Sequence, residues 1–150
     1  MEDATTRLAQ HHKLCDEDFS AAEDAARRGD WDRCGTVFDK FRRETEAHFC
    51  AEEDVLFPNF ERRTGMSSGP TRMMRMEHMQ MRGLLDQLAA AQAGRDTGAF
   101  CGAADTLLIM MQQHNLKEEN ILYPMCDQSL GGEAERLGAK IDAMLEKGHA

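Results

Sequence analysis

"HFCAEEDVLFP", residues 48–58, returns as "HNLKEENILYP", residues 114–124. In both stretches His comes first, Glu fifth and sixth, Leu ninth, an aromatic tenth and Pro last. Residues four apart share one helix face, ~6 Å apart along the axis. His48 and Glu52 therefore point the same way, and so do His114 and Glu118. Apolar residues recur around each pair at helical spacing: Phe38, Phe41 and Val55 on one face, Ala104, Leu107, Met111 and Ile121 on the other. Both pairs are thus expected on buried faces, where an unpaired carboxylate costs several kcal/mol. Packing alone does not explain such a repeat.

The same offset runs through most of the chain. Leu8, His12, Cys15 and Phe19 map onto Met74, His78, Met81 and Leu85, and Asp30 maps onto Asp96. The apolar pattern is helical throughout, and no alternating strand pattern is present. The sequence predicts a first helix over about 6–28 closed by Gly29, and a second from the cap Asp30 to about 63. A third spans about 70–94, and a fourth runs from the cap Asp96 to about 129. A short fifth helix over about 133–147 carries Leu137, Ile141, Met144 and Leu145 on one face. His149 falls in the tail. Pro58 and Pro124 should each kink or end their helix just past the repeated motif. The fold class is all-α: an antiparallel up-down four-helix bundle over about 5–129 plus the fifth helix, one domain over 1–150.

Composition limits the partners. The 150 residues carry a net charge of −9, which disfavours binding to a phosphate backbone. No apolar run reaches the ~18 residues of a membrane span. The first residues show no basic segment leading into an apolar one, and the five cysteines form no CxxC pair, so a cytoplasmic location with reduced thiols is expected.

Four His and two Glu thus interrupt four apolar stripes, one His per helix. Converging in a bundle core, they form a metal-ligand set: His12, His48, Glu52, His78, His114 and Glu118. The symmetry assigns His12 and His48 to one ion and His78 and His114 to the other, with Glu52 and Glu118 bridging. A bridging oxo or hydroxo group would leave one open position per metal. Non-haem iron suits this nitrogen and oxygen set, with manganese or zinc as alternatives. Hard carboxylates beside the His argue against a copper site built on Met. Met74, Met81, Met110 and Met111 lie one turn from His78 or His114, placed to wall a dry pocket for dioxygen or nitric oxide. His11, one position from His12, would point ~100° away and serve as a partner or at the surface, since adjacent positions should not both face the core. Glu53 and Glu119 read as solvated, or as hydrogen-bond partners of ligands. Tyr123 reads as an aromatic at the edge of the core.

A His on the first helix, "HFCAEEDVLFP", His78 in "MEHMQMRGLL" and "HNLKEENILYP" together resemble the hemerythrin-like HHE cation-binding domains, over about residues 5–128. The resemblance implies a four-helix bundle around a carboxylate-bridged, oxygen-reactive di-iron centre, with the six residues above as ligands. It departs from the oxygen carriers, which have a second His where Met74 stands. The pattern is more similar to the branch of iron–sulfur cluster repair proteins and oxygen- or iron-sensing domains. The expected function is to bind, sense or react with a small diatomic ligand or peroxide, in a binding or sensing protein more than a dedicated enzyme. Peroxidase-like or nitric-oxide-handling turnover is the enzymatic alternative. A regulatory module, forming a homodimer or meeting a protein partner through the C-terminal helix, is the other.

Overall fold

The computed structural model describes residues 3–149, without the side chain of His149. Helix α1 (Ala4–Arg27) begins where the Asp3 side chain accepts from the Thr6 amide. Helices α2 (Trp31–Ala51) and α5 (Thr97–Lys117) begin in the same way on Asp30 and Asp96, whose side chains accept from the Arg33 and Ala99 amides. Such caps satisfy one of the four amides that a helix start leaves unpaired. Helix α3 (Phe57–Thr64) continues α2, α4 is Pro70–Ala93, α6 (Tyr123–Leu130) continues α5, and α7 is Glu133–His149. No strand occurs among the described residues. Nor is any described helix long and apolar enough to cross a membrane. The expected helical bundle is the one found.

Turns between helices repeat at the same offset. The Asp30 amide bonds back to the Ala25 carbonyl at 2.9 Å, and the Asp96 amide to that of Ala91 at 3.0 Å. Each closure needs a left-handed residue just past the helix, supplied by Gly29 (φ 74°) and by Arg95 (φ 51°). The offset of the repeat maps Gly29 onto Arg95, so the left-handed position is kept without the glycine.

The prolines do not end their helices. Each comes after a π turn, Glu52–Leu56 before Pro58 and Glu118–Leu122 before Pro124. A proline ring clashes with the carbonyl four residues back and brings no N–H of its own. Widening the turn relieves the clash, because the Phe57 amide reaches the Glu52 carbonyl and the Tyr123 amide that of Glu118. Pro58 cannot serve the next carbonyl, that of Glu53, and the Arg75 guanidinium donates to it instead at 3.3 Å. The wider turn also rotates the residues beyond it. Ile121, expected on the buried face, is 56% exposed, and Leu122 is buried in its place.

Two apolar clusters fill the bundle, one on each side of a polar layer. The first gathers Phe19, Phe38, Phe41, Leu85, Phe100 and Leu107. The second gathers Leu8, Leu56, Phe57, Phe60, Leu122 and Ile141. Helix α7 closes the second by packing on α1 and α2. A Cβ on Gly148 would lie 2.5 Å from Ala47 Cβ, so only glycine allows that approach. Leu137, Ile141 and Leu145, the face that made α7 a candidate partner surface, are buried within the chain itself.

Candidate metal centre

All six sequence-predicted ligands meet in the polar layer, and all are buried. Each glutamate spans both halves of the repeat. Glu52 Oε2 lies 3.6 Å from His48 Nε2, and its Oε1 lies 3.1 Å from His78 Nε2. Glu118 Oε1 lies 3.1 Å from His12 Nε2, and its Oε2 lies 3.3 Å from His114 Nε2. Every ring thus turns Nε2 inward onto one carboxylate oxygen.

The outward nitrogens explain that orientation. His78 Nδ1 donates to Glu53 Oε2 at 2.6 Å, and His12 Nδ1 to Glu119 Oε2 at 2.7 Å. His114 Nδ1 donates to Glu77 Oε1 at 2.7 Å. His48 uses His11, with 2.9 Å between the two Nδ1 atoms, and His11 Nε2 lies 2.8 Å from Glu44 Oε2. The Glu44 carboxylate accepts a hydrogen bond from His11 Nε2, which leaves His11 Nδ1 to accept from His48. In all four cases the outer partner engages Nδ1, so that Nε2 faces the layer and is a lone-pair donor once its proton is lost. Glu53 is in turn gripped by Arg82 at 2.9 and 3.1 Å, and Glu77 by Lys117 at 2.5 Å.

Glu53 and Glu119 take the second of the two roles expected of them, as hydrogen-bond partners of ligands. Two other residues, His11 and Tyr123, depart from the sequence reading. His11 is not at the surface: it is 8% exposed and His12 5%, so adjacent positions both face inward. Helix α1 is covered by α2, α5 and α7, which widens its buried arc beyond one stripe. One sequence signal pointed to His11, because the offset maps it onto Glu77, the partner of the other motif histidine. Tyr123 is not at the edge of the core either. Its hydroxyl donates to Glu52 Oε2 at 2.7 Å and lies 3.1 Å from Glu118 Oε1 and 3.4 Å from His48 Nε2. In a straight helix Tyr123 would sit ~140° from Glu118. The π turn, with its bond from residue 123 to 118, brings it back to the ligand face.

Charge is unevenly held. Burial opposes ionisation of His114, but Glu118 and Glu52 outweigh it and raise the ring to about 9. Burial wins at His48, which is lowered to about 3. Glu118 is pushed up by burial and then by the Glu52 charge, whereas Glu52 is held low against its burial by His48 and its hydrogen bonds. Burial also opposes ionisation of Glu53, but His78 and Arg82 hold it at about 2.

Four buried polar atoms in this layer have no hydrogen-bond partner: Glu52 Oε1, His78 Nε2, His114 Nε2 and Glu118 Oε2. These four residues offer ligand atoms all within 4.8 Å of one another, and His12, His48 and Glu118 form a second such group. Buried polar atoms without partners are costly, and a cation among them removes that cost. The donor set therefore fits a metal centre. Beside it lies a cavity of about 20 Å³, lined by His12, His48 and His114 below and by Cys15, Thr45, Phe49, Met81 and Met111 above. That is room for one water-sized molecule. Met74 and Met110 do not line it. Met74 lies in the second apolar cluster, and Met110 packs half-buried against the first.

The hemerythrin HHE cation-binding domain matches residues 3–126. The chain belongs to that family, and with its buried His/Glu clusters it is a metal-binding protein. No curated protein and no solved structure matches the chain.

Proposed function

We propose that the polar layer holds two iron ions and presents them to a small ligand: dioxygen, nitric oxide or peroxide. His12 and His48 would hold one ion, His78 and His114 the other, and Glu52 and Glu118 both. The observation that supports this most is the set of four His rings, each fixed by an outer partner with Nε2 turned toward a carboxylate oxygen of the layer. Nitrogen and carboxylate oxygen without thiolate suit iron, ahead of manganese and zinc. Iron bound there would supply redox chemistry and open coordination positions.

The chain's own groups shape the surroundings that such a ligand meets. Met81, Met111 and Phe49 line the adjoining cavity with atoms that neither donate nor accept strongly, which disfavours bulk water. The Tyr123 hydroxyl gives the layer a neutral donor, aimed at Glu52. The outer carboxylates hold the rings still, so no reorganisation is needed when a ligand arrives. Anaerobic loading with ferrous iron and then exposure to air tests the reading. Two irons per chain and a new visible absorption in air are expected. No uptake of metal by the intact protein would overturn it.

A further inference from the structure

The repeat breaks where the polar layer nears the surface. All residues lining the small cavity are buried except Asp16, which is exposed, and Asn115, which is half-buried. The cavity therefore reaches solvent between α1 and α5, beside His12. Asp16 corresponds to Arg82, and Asn115 to Phe49, at the offset of the repeat. There the other half is shut. The Phe49 ring stacks on His78 with centroids 4.0 Å apart and planes 16° apart. Arg82 covers Phe49 at 5.2 Å and is tied down by Glu46 and Glu53. One histidine is sealed by an aromatic ring under a clamped guanidinium. Its mate has a carboxylate and an amide in the same places.

We propose that Asp16 and Asn115 frame the entrance through which the small ligand reaches the centre, and that this entrance admits small uncharged molecules in preference to anions. The proposal rests on the two-metal reading above. Outside the entrance lies a hollow of about 210 Å³ between α1 and α5, bordered by Asp16, Ser20, Glu23 and Gln112. Glu119, hydrogen-bonded to His12, adds a third carboxylate close by. An anion must pass this acidic rim and then lose its hydration among thioethers and an aromatic ring. A neutral diatomic molecule meets neither barrier.

Asn115→Phe rebuilds the plug of the other half, and Phe49→Asn opens the closed side. In the metal-free protein, dissolved dioxygen should broaden the Met81 and Met111 methyl signals in NMR, and Asn115→Phe should suppress that broadening. In the iron-loaded protein, stopped-flow association of nitric oxide should slow at least tenfold in Asn115→Phe at unchanged iron content. Phe49→Asn should match or exceed the unsubstituted rate. Azide should bind the ferric protein more slowly than nitric oxide binds the ferrous protein, and Asp16→Asn should speed azide alone. Unchanged nitric oxide rates and methyl broadening in a folded, iron-replete Asn115→Phe protein would overturn the entrance. Equal acceleration of azide and nitric oxide by Asp16→Asn would overturn the preference. A protein that takes up no iron would instead overturn the two-metal reading, and is told apart by metal content.

Discussion

His78 and His114 are each oriented by a carboxylate that a surface cation neutralises, Glu53 by Arg82 and Glu77 by Lys117. On the other side His12 leans on Glu119, and His48 leans on a second imidazole, His11, backed by buried Glu44. Phe57 flanks His78 with centroids 5.9 Å apart, and Tyr123 flanks His12 at the same 5.9 Å but adds a hydroxyl. A carboxylate partner raises the basicity of a ligating imidazole more than a neutral imidazole does. On the proposed two-metal reading, the two positions would therefore differ in donor strength, and the His12/His48 position, which rests partly on an imidazole, would be the weaker. The repeat supplies the geometry, and its broken places supply the chemistry.

The largest effect should come from removing a group that the two positions share. Glu118→Ala takes an oxygen from both and should lose both metals, whereas His114→Ala should retain the ion between His12 and His48. Metal content by mass spectrometry distinguishes two, one and none, and two metals in Glu118→Ala would break the comparison. Next come the outer partners, where loss of such a hydrogen bond typically weakens metal affinity ~10–100-fold. Glu53→Gln should weaken the His78/His114 ion, and Glu119→Gln the other. Competition with a chelator should show one affected phase in each case, and loss of both phases from either change would argue against separable positions. Tyr123→Phe makes the halves alike. It leaves Glu52 Oε2 without its hydroxyl partner, which should cost the metal-free protein ~1–3 kcal/mol in denaturant unfolding. No loss would mean that the hydroxyl is merely tolerated. The smallest effect concerns the cavity wall, where Cys15 stands opposite Met81. Burial pushes the Cys15 thiol up to about 12, so at pH 8 it stays protonated. Iodoacetamide should spare Cys15 in the folded protein and modify it after unfolding, as peptide mass spectrometry would show.

Much of the site is legible in the chain. Spacing of four puts His48 with Glu52 and His114 with Glu118 on one face, and the offset then finds His12 and His78. Glu53 and Glu119 stand out as repeated residues, but the helix wheel alone puts them off the face, and contact with a neighbouring helix decides their role. Tyr123 is hidden for a local reason. A helix wheel with 3.6 residues per turn cannot show a π turn. The proline that provokes it reads equally well as a kink or a stop. His11 is hidden for a global reason, because the width of the buried face of α1 depends on how many helices cover it. The cavity obeys the same rule. Met81 and Met111 line it and Met74 does not, since the wall lies on one side of the histidine level only.

The two apolar clusters lie on opposite sides of the polar layer and are joined through it. In mechanical terms the bundle resembles two blocks held by a rivet. With the layer occupied, the whole chain should unfold as one unit. With it empty, the middle is the weakest cross-section, and the two ends can melt out of step. Metal occupancy would then govern the cooperativity of unfolding as well as its midpoint. The protein's sharpness as a folded object becomes a readout of its cargo.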